Sequence, residues 1–253
     1  MIIIISPAKK MRKEYELLFE PTKPIFLERA KSLARHLQTF SYGDLKTLLR
    51  CNDGIAQLNY ERYAHMDFEK NLAHALLAYD GIQYTYMSPL IFDYDAFDYV
   101  SQHVRILSGL YGVLRPLDAV VPYRLEMGTA LQYESFKNLY DFWGNAVYAE
   151  ITKYDDCIIN LASKEYSRLI ESHCAENVRI ITCVFGERRK SDNAIIEKGV
   201  YVKMARGEMV RFMAEHNIKR VQDMQAFCGL NFCFDKEAST ADRIVFVRDI
   251  KQQ

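Results

Sequence analysis

A chain of 253 residues that is 49% hydrophobic and 26% charged can bury a sizeable core, which excludes the disordered and collagen-like classes. Its 33 basic and 33 acidic residues cancel, so a role on nucleic acid or an anionic membrane requires charge segregated into a patch. No window approaches the roughly 18 apolar residues of a membrane span, and the apolar run 1–5 is too short and wrongly flanked for a signal segment, so a cytoplasmic protein is expected.

Residues 2–5 are four consecutive isoleucines, a β-branched run that reads as a strand buried on both faces, with Pro7 stopping it. From 24 to 38, Phe26, Leu27, Ala30, Leu33, Ala34 and Leu37 recur at helical spacing with Lys31 and Arg35 opposite, which predicts an amphipathic helix. Ser41 is an N-cap candidate for a second helix carrying Leu45, Leu48 and Leu49, so 26–50 reads as a helix-turn-helix pair. Further helices over 52–66 and 69–79 make 24–80 a helical block.

Beyond it the elements alternate. A strand at 104–107 leads into Gly109 and Gly112; helical spacing covers 139–153; a strand at 157–161 precedes a helix at 164–172. A strand at 178–185, a polar turn over 187–193, a helix at 200–217 and a strand at 243–247 follow. The pattern is mixed α/β (α+β), and the absence of repeats or Gly/Ser linkers predicts one compact domain over 1–253 around a central mixed sheet. Six cysteines without a C-x-x-C pair read as free, mostly buried thiols.

Four places can carry chemistry. Ser6-Pro7-Ala8-Lys9-Lys10 follows the first strand; a strand end offers backbone N–H groups, and Lys9 a point charge for phosphate, but the glycines of a Walker loop are missing. The second, 107–128, holds Arg115 beside Pro116 and Arg124 beside Tyr123 in a Gly- and Pro-constrained segment. If 123–127 is extended, Arg124 and Glu126 share one face, as a bracing ion pair or as a base with its cation. In the third, 160–166, a strand ends and a helix begins with Lys164 in its first turn; Ser163 either caps that helix or helps its N–H groups hold an anion. The fourth is Lys203 and Arg206, three apart beside an apolar helical face, with Gly207 marking a close backbone approach or a kink.

Trp143, Tyr140 and Phe142 read as core. Asp93, Asp95 and Asp98 lack histidine partners or a calcium-loop glycine, and the six histidines show no ligand spacing, so no metal and no cofactor is expected.

Read in order, ISPAK, LSGLYGVLRPLD, PYRLEMG, DFWG, INLASKEY and K-x-ARGEM-x-RF resemble the YaaA-type peroxide-stress family over nearly the whole chain. The resemblance implies a hydrogen-peroxide stress response protein that limits damage from intracellular free iron. It also implies an α/β fold with a basic cleft and a helix-hairpin-helix-like element for duplex DNA, here the pair at 26–50. Carried over by position, Lys9, Arg115, Arg124, Lys164, Lys203 and Arg206 are the DNA- or phosphate-binding candidates. The expected partner is double-stranded DNA, bound without sequence readout by a monomer. The alternative is an enzyme acting on a nucleotide, nucleoside or nucleic-acid base, with Glu126 or Tyr123 doing acid-base work. The chain departs from the family pattern at Met204, where a second lysine is common, and at Asn231-Phe232, where Gly-Tyr is common.

Overall fold

Four consecutive isoleucines present no polar face, and the Ile2–Ile5 strand accordingly lies where both faces and both edges are covered. It pairs in parallel with Val104–Ser108 on one side and Cys157–Leu161 on the other. Arg179–Arg188 and then Arg243–Arg248 continue the parallel sheet outward. Antiparallel strands Gly112–Leu114 and Phe232–Phe234 finish its two edges, and Ile195–Ile196 pairs with Arg179–Arg188. The result is the expected mixed α/β architecture around an eight-stranded mixed sheet. The computed structural model describes residues 1–12 and 19–248.

The strand order places a crevice. From Ile2–Ile5 the chain moves to a neighbour on one side, then returns to build the other side. Loops leaving the carboxyl ends of strands on either side of such a switch point diverge, and the gap between them is where open α/β sheets bind ligands. Here the gap lies after Ile5 and Leu161.

Leu27–Gln38 buries Ala30, Leu33, Ala34 and Leu37, the predicted face. The Ser41 hydroxyl accepts the Asp44 N–H and caps Tyr42–Leu49, and Asn52 caps Asp53–Ala64 in the same way. Neither linking turn, 39–41 or 50–52, contains glycine; Arg50 takes the left-handed position after the second helix, at φ 44°.

Three expectations change. Residues 69–79 are not one helix: Ala73–His74 pairs with Ala119–Val120, Ala75–Ala78 makes a single turn, and Tyr79–Asp80 pairs with Lys10–Met11. All of Ala73 to Tyr79 is buried, so no polar face exists for a helix to turn outward, and periodicity cannot separate a buried helix from buried extended chain. The predicted helix at 139–153 is broken at Gly144 (φ 48°) into Leu139–Trp143 and Ala146–Ile151. The thiols are not mostly buried: Cys183 is, Cys51 and Cys157 are half-buried, and Cys174, Cys228 and Cys233 are exposed. Sequence reasoning also missed both antiparallel edge strands, which are three residues each.

One departure and one noted glycine have a backbone explanation. Asn231, where the family pattern has glycine, sits at φ 63°, a conformation glycine adopts freely and asparagine tolerates. A Cβ on Gly207 would lie 2.2 Å from the Gln83 carbonyl oxygen and 2.9 Å from the Met87 N. Its glycine thus lets Gly199–Glu215 lie directly on the backbone of Ile82–Met87, which is the close-approach reading.

Candidate functional site

The crevice is a cavity of about 370 Å³, within the range of small-molecule sites. Its walls come from the loop after Ile2–Ile5, the start of Ile82–Met87, residues 123–126, the start of Lys164–Glu171 and one face of Gly199–Glu215. Two lining serines are bonded to each other: Ser6 Oγ donates to Ser163 Oγ at 3.2 Å and accepts the Ser163 N–H at 2.8 Å. That bond stitches together the ends of two central strands. Ser163 stands at the N-cap position of Lys164–Glu171, yet its hydroxyl makes no capping bond.

Residues 121–126 form no regular strand, but Arg124 and Glu126 still meet across two residues. The guanidinium donates from Nε at 3.1 Å and Nη2 at 2.9 Å to Glu126 Oε1, and Lys9 Nζ stands 3.0 Å from the same oxygen. Glu126 Oε2 is buried with no hydrogen-bond partner. Burial pushes the Glu126 carboxyl up, but the bonds and charges of Arg124 and Lys9 outweigh it and hold the group below its ordinary 4.5. The folded state therefore binds this proton less readily than the unfolded chain, so the stabilisation is complete above pH 4.5 and is lost as pH falls through the lower folded value. Replacing Glu126 by Gln is expected to flatten that acid limb, read as the urea midpoint followed from neutrality to below pH 4.5; an unchanged acid slope would refute it.

Tyr123 lies in a chain of hydroxyls, with Tyr79 OH at 2.7 Å and Ser108 Oγ at 2.6 Å. Burial drives its phenol up to about 12, so near neutrality it can donate a proton or hydrogen bond but is no base.

On the opposite wall Arg206 makes no hydrogen bond or ion pair with any described residue, and its Nε is buried and unpartnered. Burial lowers the guanidinium's proton affinity, and Glu197 and Cys183 only partly restore it. Lys203, one turn earlier, is exposed at the rim.

The structure thus brings together Lys9, Tyr123, Arg124, Glu126, Lys203 and Arg206 from three separate segments. It does not bring Arg115 or Lys164. Arg115 grips the buried Asp118 at 2.8 and 3.0 Å and donates to the Lys23 carbonyl at 2.7 Å, beside a separate groove formed by 23–29. Lys164 faces solvent against Glu171. Sequence reasoning missed Asp80 to Tyr84 and the wall residues Glu165 and Tyr166. The turn at Gly81, whose Cβ would meet Ala8 at 2.8 Å, was the available signal. Among the described residues no cluster of three metal-ligating side chains exists, and no helix is long and apolar enough to cross a membrane.

These features define an α/β protein with a cation-lined crevice at the switch point of the parallel part of its sheet. The chain belongs to the family described as peroxide stress protein YaaA, whose sequence profile matches residues 1–238. It is 51% identical to a UPF0246 protein of Desulfitobacterium hafniense over the full length of both chains. A UPF0246 protein of Lachnoclostridium phytofermentans is 46% identical over 98% of this chain and 96% of its own, and one of Pediococcus pentosaceus 41% over 98% of each.

Proposed function

We propose that this peroxide-stress protein works by holding a phosphate-bearing ligand of nucleotide class in the cavity, with Glu126 and Tyr123 beside it as proton-handling groups. The carrying observation is Arg206, a desolvated guanidinium with no hydrogen bond or ion pair to a described residue and only the more distant charge of Glu197 to offset it, on the wall of a 370 Å³ cavity. A half-buried guanidinium whose buried Nε has no partner is costly unless an anion completes it, and a guanidinium matches phosphate with two parallel hydrogen bonds. Lys203 and Lys9, which is 68% exposed, would add charge at the mouth, while Glu126, bonded on one oxygen, keeps the other for a donor on the ligand.

Duplex DNA is the second reading, and the exposed cations at the rim favour it: Lys9, Lys10 and Lys203 can reach backbone phosphates that cannot enter the cavity. In that reading the protein would restrain iron-dependent damage at the DNA itself. Calorimetric titration with nucleoside mono- and diphosphates and with a short duplex, at low and moderate salt, separates the two. One nucleotide per chain, with modest salt dependence, is the expected result. Duplex binding with a steep salt slope and no nucleotide binding would transfer the function to the second reading, and no binding of either would overturn both.

A further inference from the structure

We propose that Cys228 and Cys233 form a peroxide-reactive dithiol that closes into an intramolecular disulfide. Their sulfurs stand 2.9 Å apart at the protein surface. Cys228 precedes the short turn Gly229–Asn231, in which Leu230 and Asn231 successively adopt left-handed φ values of 56° and 63°. That double reversal folds the chain back so that Cys228 lies over Cys233 in the edge strand Phe232–Phe234. A branched side chain such as leucine resists this conformation, and the turn is closely hemmed in: a Cβ on Gly229 would stand 2.6 Å from the Phe227 ring and 3.6 Å from Glu208 Cβ in Gly199–Glu215. The two sulfurs lie within ~0.9 Å of disulfide bonding distance.

The chemistry needs one hydroperoxide. One cysteine thiolate attacks an oxygen of the O–O bond, which breaks; the sulfur becomes sulfenic acid and the alcohol, or water from hydrogen peroxide, leaves. The second thiolate attacks that sulfur, the S–S bond forms, the S–O bond breaks and hydroxide departs as water after taking up a proton. Two thiols lose two electrons and one hydroperoxide gains them. Among the described residues no other pair of cysteine sulfurs is joined by a disulfide or a hydrogen bond.

The test uses the full chain, reduced and then given a few equivalents of hydrogen peroxide, quenched with a thiol-blocking maleimide and mapped by peptide mass. The expected result is loss of two of the six thiols, a 228–233 linkage, and migration as a monomer on a non-reducing gel. Folding should speed this loss roughly tenfold or more over the urea-unfolded chain, because proximity is supplied by the turn. Cys228→Ser or Cys233→Ser should abolish the linkage, and in whichever variant keeps the attacking thiol a sulfenic acid is trapped by dimedone. Six surviving thiols, a different pairing, cross-linked dimers alone, or equal rates in folded and unfolded chains would each overturn the proposal.

Discussion

Replacing Arg206 by Met is expected to weaken binding of a phosphate ligand by roughly 30- to 1,000-fold, the loss of about 2–4 kcal/mol of charge-assisted hydrogen bonding, while making the empty protein more stable. The two effects have one cause. Arg206 is desolvated and makes no ion pair with a described residue, the charge of Glu197 only partly offsetting its burial, so the unliganded fold carries an electrostatic cost that a thioether of similar length removes. Exchanging a poorly compensated buried charge for an apolar side chain commonly gains about 1 kcal/mol or more, which in a chain of this size raises Tm by roughly 2–4 °C. Lys203→Ala supplies the contrast: an exposed rim cation leaves stability within about 0.5 kcal/mol and lowers affinity less. Calorimetric titration and thermal denaturation of the two variants decide the matter. Should Arg206→Met lose stability, Arg206 is a structural brace and the cavity loses its principal anion contact.

How much of this was legible in the sequence depends on which interaction fixes each residue. Local pattern was sufficient for Ile2–Ile5, for the amphipathic Leu27–Gln38 and for the Ser41 cap, because strand burial, helical periodicity and capping are set within a few residues. Spacing sufficed for the Arg124–Glu126 contact, even though 121–126 is not a strand. Gly207 announced a close approach but not its partner, since the carbonyl of Gln83 comes from a helix over a hundred residues away. Arg115 shows the opposite failure. A cation held between constrained loops looked like a cleft residue, yet Asp118, three residues on and buried, takes its charge. No local pattern placed the cavity, and a cleft was implied only by the family resemblance, because it exists through strand order, a long-range property that no window of sequence encodes.

Gly109→Ala is expected to destabilise the protein by about 3 kcal/mol and to lower Tm by roughly 6–12 °C, although alanine suits the local backbone, since no positive φ is recorded at Gly109. Space is what forbids it. A Cβ there would stand 2.3 Å from the Leu125 carbonyl oxygen, 3.0 Å from the Leu125 carbonyl carbon and 3.2 Å from that of Glu126. All three are main-chain atoms, so no side chain can rotate away, and the segment 124–126 must move. Gly109 cannot retreat, because its own carbonyl accepts the Trp143 Nε1–H at 3.0 Å from a buried indole. Displacement therefore falls on the segment that carries Arg124 and Glu126, and ligand affinity should drop together with stability. Gly43→Ala is the matched control: it lies exposed in Tyr42–Leu49 with its nearest neighbour, Ser41 Oγ, 3.9 Å from the new carbon, and should gain up to about 1 kcal/mol from helix propensity. An unchanged urea midpoint for Gly109→Ala would mean that the 124–126 segment yields freely, and the tight placement of Glu126 against the sheet would then have no energetic weight.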